Sequence, residues 1–283
     1  MKILILGARG MLGNELAKAF SDGAKYETIL WDREELDITD QETVDEKIKD
    51  IRPEVIINSA AYTAVDKAEG EEKLVYDINA YAVGYLASVA KDTGALLVHF
   101  STDYVFDGEN HLGYKEEYPI KNPATIYGKS KKLAEKLIED INPRHFIIRT
   151  QWLFGSSGKN FIETMLGLAG QGKELKVVND QFGSPTYAKD LAGKVREMIE
   201  ENRSSGIYHV TNSETCSWYD FALEIFALAN LHPVIRPVKS EEFAAAAKRP
   251  TYSMLINTKL PPLRSWQDAL RAYLIERGNL GNK

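Results

Sequence analysis

The tightest constraint on this 283-residue chain is a turn near its start. The apolar run Ile3-Leu4-Ile5-Leu6 leads straight into Gly7-Ala8-Arg9-Gly10-Met11-Leu12-Gly13, and a helical stretch, NELAKAF, follows. Strand, glycine-spaced turn and helix are the opening of a dinucleotide-binding unit. Gly7 suits a tight turn, Gly10 lets the backbone approach a pyrophosphate, and Gly13 allows close packing of helix on strand. The first N–H groups of that helix, with its dipole, would meet the anion. Asp32 ends the next apolar run, ETILW, at about the separation (~20 residues) where a carboxylate meets the adenosine ribose hydroxyls of NADH. Arg33 comes next, and its guanidinium would instead pair with the extra phosphate of NADPH. Both cofactors stay open.

Four further runs, ETILW, EVIIN, ALLVHF and HFIIRT, alternate with segments of helical length and periodicity up to about residue 150. Strand and helix in alternation predict a Rossmann-like, doubly wound parallel α/β sheet, its strands near-continuously apolar because both faces are covered. Past residue 150 the alternation loosens and Gly and Pro cluster, as in LFGSSGKN, DQFGSPT and HPVIRPV. The expected division is a dinucleotide-binding domain at 1–150 and a smaller substrate-binding lobe at 151–283. Some segments of the lobe, GIYHVTN above all, should return to the sheet as strands. WYDFALEIFALANL has the apolar spacing of an amphipathic helix, and the short alanine run at 244–247 also reads as helix.

The bulk numbers exclude several classes. A formal net charge of -6 with the signs interspersed offers no basic stripe for nucleic acid. The opening MKILILG lacks the apolar core and cleavage site of a signal peptide, and no stretch reaches the ~18 apolar residues of a membrane span, so a cytoplasmic protein is expected. The single cysteine, Cys216, rules out an intrachain disulfide or a cysteine-only metal cluster and reads as a small buried residue.

A candidate chemical site lies further along. ALLVHF runs into Ser101-Thr102-Asp103-Tyr104, and Tyr127-Gly128-Lys129-Ser130-Lys131 opens a predicted helix. Tyr127 and Lys131 stand one turn apart on one face, so an ammonium could sit near the phenol. A free tyrosine titrates near ~10, too high for efficient proton exchange at neutral pH, and a positive neighbour lowers it. Such a pair makes a proton donor for a carbonyl receiving hydride, with Lys131 also reaching the nicotinamide ribose and the Thr102 hydroxyl holding the substrate oxygen.

Taken in order, GARGMLG at 7–13, NSAAYTAVDKAE at 58–69, STDYVFDG at 101–108, YGKSKKLAE at 127–135, RTQWLFG at 149–155, VVNDQFGSPT at 177–186, GIYHVTN at 206–212 and RPTYS at 249–253 span nearly the whole chain. In these stretches it resembles the extended short-chain dehydrogenase/reductases, and within them the dTDP-4-dehydrorhamnose reductase family. The resemblance implies NAD(P)H-dependent reduction of the 4-keto group of a dTDP-4-dehydro-6-deoxysugar, giving dTDP-L-rhamnose for cell-surface polysaccharide. It implies that Gly10, Met11 and Leu12 line the pyrophosphate, Asp37 and Ile38 the adenine, and Ala61, Tyr62 and Thr63 the inner cofactor. Thr102, Asp103 and Trp152 would meet the sugar, Trp152 otherwise being a core residue, and 179–186 would form the nucleotide-side loop. Ser59 and Gln151 depart from the family's usual small residues and bear on substrate preference. Some relatives hold a divalent cation at a dimer interface, which brings a homodimer into view; Glu15 is a candidate ligand without placeable partners, so no metal is assigned.

Related chemistries fit less well. Sugar-nucleotide dehydratases of this resemblance carry a glutamate as base directly after the Thr-Asp pair, where Tyr104 stands here; epimerising reductases need a further acid/base pair, often Cys with His, and Cys216 lies far along the chain. The alternative from another class is a non-catalytic dinucleotide-binding regulatory subunit. The joint presence of Thr102, Tyr127 and Lys131 favours an enzyme.

Overall fold

The structure is a computed structural model describing residues 1–243 and 245–278. Its first half runs β1 (Lys2–Leu6), α1 (Met11–Ala19), β2 (Glu27–Trp31), α2 (Gln41–Ile51), β3 (Val55–Asn58), the short α3 (Val65–Ala68) and α4 (Glu72–Tyr76), α5 (Ala82–Thr93), β4 (Leu96–Thr102), β5 (Tyr114–Lys115), α6 (Ile126–Ile141) and β6 (His145–Thr150). Then follow β7 (Leu153–Phe154), α7 (Phe161–Ala169), β8 (Leu175–Val178), β9 (Phe182–Gly183), β10 (Thr186–Tyr187), α8 (Ala188–Glu200), β11 (Gly206–His209), β12 (Cys216–Ser217), α9 (Trp218–Leu228), β13 (Ile235–Val238), β14 (Leu255–Ile256) and α10 (Trp266–Glu276).

Six strands form one parallel sheet in the order β11-β6-β4-β3-β1-β2. Because side chains alternate across a strand, β1 feeds both faces. Ile3 and Ile5 join Leu12, Leu16 and Phe20 from α1 and its end, together with Leu191, Val195 and Met198 of α8. Leu4 and Leu6 join Val44 and Ile48 of α2, Val83 and Leu86 of α5, and Ala134 and Ile138 of α6. Each such side chain, buried fully, contributes on the order of 1.5–3 kcal/mol. The sheet is thus doubly wound as expected, and GIYH returns to it as β11, paired with β6.

A separate cluster gathers Phe154, Tyr187, Phe221, Trp266 and Tyr273, and packs α7, α9 and α10 together. The expected helix at 218–228 is present, capped by Ser217 and Asp220 in a reciprocal box. The helix expected in the alanine run is not: residues 245–247 are irregular, Ala244 lying outside the described residues. Tertiary contact overrides alanine's propensity there, since the Ala247 N–H donates to Asp66 Oδ1 at 3.1 Å. Cys216 is buried, and burial pushes its thiol up. Among the described residues no helix is long and apolar enough to cross a membrane.

Candidate active site

The strand order reverses between β1 and β3, which opens a crevice at their carboxyl ends, the place where such sheets bind ligands. Gly7 closes β1 with φ +72°, and a Cβ there would lie 2.7 Å from the Ala60 nitrogen just past β3. Any side chain would push the two strand ends apart. A Cβ on Gly13 would come 2.0 Å from the Gly7 carbonyl, so α1 can start directly over the turn only because residue 13 has none. Gly10 caps α1 without a side-chain hydrogen bond, which leaves the helix's first N–H groups to a ligand. Leu12 is buried in the core under the sheet, so only its backbone can serve an anion, while Met11 is half-buried and packs where a side chain on Gly155 would stand.

One cavity of about 200 Å³ beside this turn is lined by Gly7, Asp32, Arg33, Asp37, Ile38 and Ala61 among others. Six residues named from sequence thus share a wall. Tyr62 and Thr63 do not line it; Tyr62 is held by Asn79, which accepts from its N–H at 2.8 Å, and by Glu71, which accepts from its phenol at 2.6 Å. Asp32 accepts from the Arg9 and Arg33 N–H groups at 3.0 and 2.9 Å. The Arg33 side chain is 83% exposed and lies 3.4 Å from Asp37, so it can swing to a ligand at little cost.

The other end of the site is buried. Thr102 ends β4 and accepts from the Tyr104 N–H at 3.2 Å while donating to Asp103 Oδ1 at 2.8 Å. Asp103 Oδ2 is buried without a partner, and burial pushes this carboxyl up to about 6. α6 begins under the same strand end. Thr125 caps it by accepting from the Gly128 N–H, and a Cβ on Gly128 would sit 2.2 Å from the Tyr104 carbonyl, so glycine permits the contact that seats Tyr127 against Tyr104. Their rings meet edge to face at 5.6 Å. Burial and then Asp103 raise the Tyr127 phenol to about 12, partly offset by its hydrogen bond with Thr102.

Lys131 differs from expectation. Its Nζ lies 2.9 Å from His99 Nε2, and burial lowers it to about 7. The phenol is therefore not lowered by this lysine here; the Lys131 side chain is drawn instead to a buried imidazole on β4. One turn further, Glu135 holds Arg149 of β6 through two bonds of 2.9 and 2.7 Å and accepts from Ser101. The face of α6 is thus tied to both strands on which the site rests. The sequence reading missed His99 and its partner Asn58; a polar residue inside the apolar run ALLVHF, and another ending EVIIN, were the available signals.

On the far wall, Trp152 adopts φ +47°, unusual for a bulky residue, and stacks on Trp218 with ring centroids 3.6 Å apart. A Cβ on Gly183 would be 2.7 Å from its indole. Trp152 is half-buried, packed against the second cluster yet not enclosed by it. Glu15 is buried on α1 and accepts from Lys18 and Ser156, both at 2.8 Å.

The family model described as the RmlD substrate binding domain matches residues 1–278. Spore coat polysaccharide biosynthesis protein SpsK of Bacillus subtilis (strain 168) is 43% identical over 282 residues, 98% of each chain. The dTDP-4-dehydrorhamnose reductase of Aggregatibacter actinomycetemcomitans is 42% identical over 292 residues, 96% of this chain and 99% of that one. A crystal structure of dTDP-4-dehydrorhamnose reductase from Bacillus anthracis str. Ames, in complex with NADP, matches at a TM-score of 0.93 and 40% identity over 97% of this chain and 99% of that one. With a matching model over nearly all its length and relatives at this identity, the chain belongs to the dTDP-4-dehydrorhamnose reductase family.

Proposed function

We propose that this chain is an NAD(P)H-dependent oxidoreductase that reduces the 4-keto group of a dTDP-4-dehydro-6-deoxysugar, dTDP-4-dehydro-L-rhamnose to dTDP-L-rhamnose. The observation that carries this is the convergence of Thr102, Asp103 and Tyr127 on one strand end beside the glycine crevice. The crevice fits a dinucleotide, since its glycines stand where a Cβ would fill the cradle. Gly7, Gly10 and the N–H groups of Met11, Leu12 and Gly13 would hold the pyrophosphate, Asp32 or Arg33 the adenosine ribose or its phosphate, Asp37, Ile38 and Ala61 the adenine side, and Tyr62, Thr63 and Lys131 the inner half. The bound cofactor supplies hydride.

The chain's own residues do the rest. Thr102 offers its hydroxyl to the substrate's carbonyl oxygen, where negative charge develops. Tyr127 delivers the proton to that oxygen; the phenol is protonated at neutral pH, and because burial and then Asp103 make it a weaker acid than a free tyrosine, a positive charge brought beside it would ease the transfer. Asp103, with one oxygen unpartnered, accepts a sugar hydroxyl, and Trp152 packs a flat apolar surface against the ring. The 151–283 portion acts as the substrate lobe around the second cluster, with 179–186 on the nucleotide side, where Asn179 Oδ1 is likewise buried and unpartnered. The enzyme works in the cytoplasm, where reduced nicotinamide is available.

Loss of reduced-nicotinamide absorbance when the purified chain meets dTDP-4-dehydro-L-rhamnose tests this. Tight cofactor binding without turnover on any dTDP-4-keto-6-deoxysugar would instead establish a regulatory subunit.

A further inference from the structure

His99 is 1% exposed on β4, and its two ring nitrogens have different neighbours. Asn58, on the adjacent strand β3, accepts from the Ala60 N–H through Oδ1 at 3.1 Å. That contact orients the amide, since a backbone N–H can only donate, and turns the Asn58 NH2 toward His99 Nδ1 at 3.2 Å. Nδ1 must then accept. A neutral imidazole whose Nδ1 accepts carries its proton on Nε2, and Nε2 faces Lys131 Nζ at 2.9 Å. An N–H pointing at this nitrogen makes a hydrogen bond only if the lysine accepts.

We propose that His99 is a positioning residue of the reducing site: as the Nε2–H tautomer it donates to Lys131 and holds that side chain, in the cofactor-free protein, as an accepting amine. The inference rests on the placement of Lys131 in the reductase site. The surroundings agree with it. Burial and Lys131 both keep His99 well below its ordinary value, and burial lowers Lys131 with only Glu135 opposing. Glu135 is already engaged by Arg149 of β6 and by Ser101, Asp103 and Tyr127 act on one another, and β3 presents the neutral Asn58. Among the described residues the one carboxylate that acts on Lys131, Glu135, is committed to Arg149 and Ser101, whereas the His99 donor directly satisfies a resting amine. The arrangement makes Lys131 a switchable group, free of charge above about pH 7 and able to take up a proton when it serves the reaction.

The first test needs no substitution. In the full chain labelled with ¹⁵N-histidine and free of cofactor, the His99 signals, assigned by through-space contacts to Asn58 and Lys131, should show a protonated Nε2 and a bare Nδ1 at about pH 8, above the Lys131 value of about 7. An Nδ1–H tautomer or a doubly protonated ring overturns the proposal, whatever the enzyme's activity. The second is a pH profile of kcat/KM for the reduced cofactor, which reports the free enzyme. In His99→Gln the side-chain oxygen can accept from an ammonium, so Lys131 should keep its proton to higher pH and the alkaline limb should move up by about one pH unit. A folded variant whose limb stays in place, with only lowered thermal stability, overturns the proposal. Failure of the reductase reading is told apart from both, because it appears as no loss of reduced-nicotinamide absorbance when the parent chain meets a dTDP-4-keto-6-deoxysugar, whereas the histidine signals are read without turnover.

Discussion

Asp32 and Arg33 stand at the end of β2 with the arginine in open solvent, whereas Thr102, Asp103 and Lys131 at the end of β4 and the start of α6 are each no more than 5% exposed. The adenosine end is built from backbone: glycines that permit close approach and N–H groups of a helix start, edged by Asp32 and the exposed Arg33. The chemical end is built from side chains whose donors and acceptors are almost all spoken for inside the protein. Screening makes the first end tolerant of change, and low dielectric makes the second intolerant. A ligand that must be captured can be met by adjustable groups. A proton that must move needs groups already in place.

The largest effect should come from the buried end. Tyr127→Phe removes one oxygen and should lower kcat by about a hundred- to ten-thousand-fold, with cofactor affinity unchanged in a fluorescence titration. Near-normal turnover would mean that the proton has another source and that the buried end is only packing.

A middle effect separates function from stability at the same end. The Asp103 carboxyl is raised in the folded protein from 3.8 to about 6, so the native state binds its proton more tightly than the unfolded chain does. That contribution is complete below about pH 4 and is lost as pH rises through about 6. Asp103→Asn should therefore be more stable than the parent at pH 8, by roughly 2–3 kcal/mol, with little difference at pH 4 and poorer substrate binding. Urea unfolding at the two pH values checks it. A gain independent of pH would show that the buried charge is not its cause.

The smallest effect belongs to the exposed end. Arg33→Ala should weaken NADPH by no more than about fivefold and NADH hardly at all, because an exposed ion pair is worth at most ~1 kcal/mol. Equal losses for both cofactors in initial-rate measurements would take Arg33 out of the comparison.

What could be read from sequence divides along the same line. The β1 turn is legible because strand, glycines and helix are adjacent in the chain, and the Tyr127–Lys131 spacing because a helix repeats locally. The partner of Lys131 is not legible, since His99 and Asn58 arrive from two other strands and nothing in ALLVHF says which ring nitrogen faces what. Nor is the left-handed backbone of Trp152, which depends on Trp218 and Gly183 from distant segments. Two-residue strand pairs such as β5 with β14, joined across the length of the chain, leave no local periodicity to detect.

The return of β11 and α8 to the first sheet bears on how the chain is made. Until residue 209 has left the ribosome, β6 lacks its outer neighbour, and until α8 emerges Leu12, Leu16 and Phe20 have no helix to cover them. The glycine crevice can therefore assemble early from local segments, but the layer beneath it closes only late, through contacts of long sequence separation. A nascent chain paused near residue 150 would present an apolar face of α1 to solvent, a binding surface for chaperones and a starting point for aggregation.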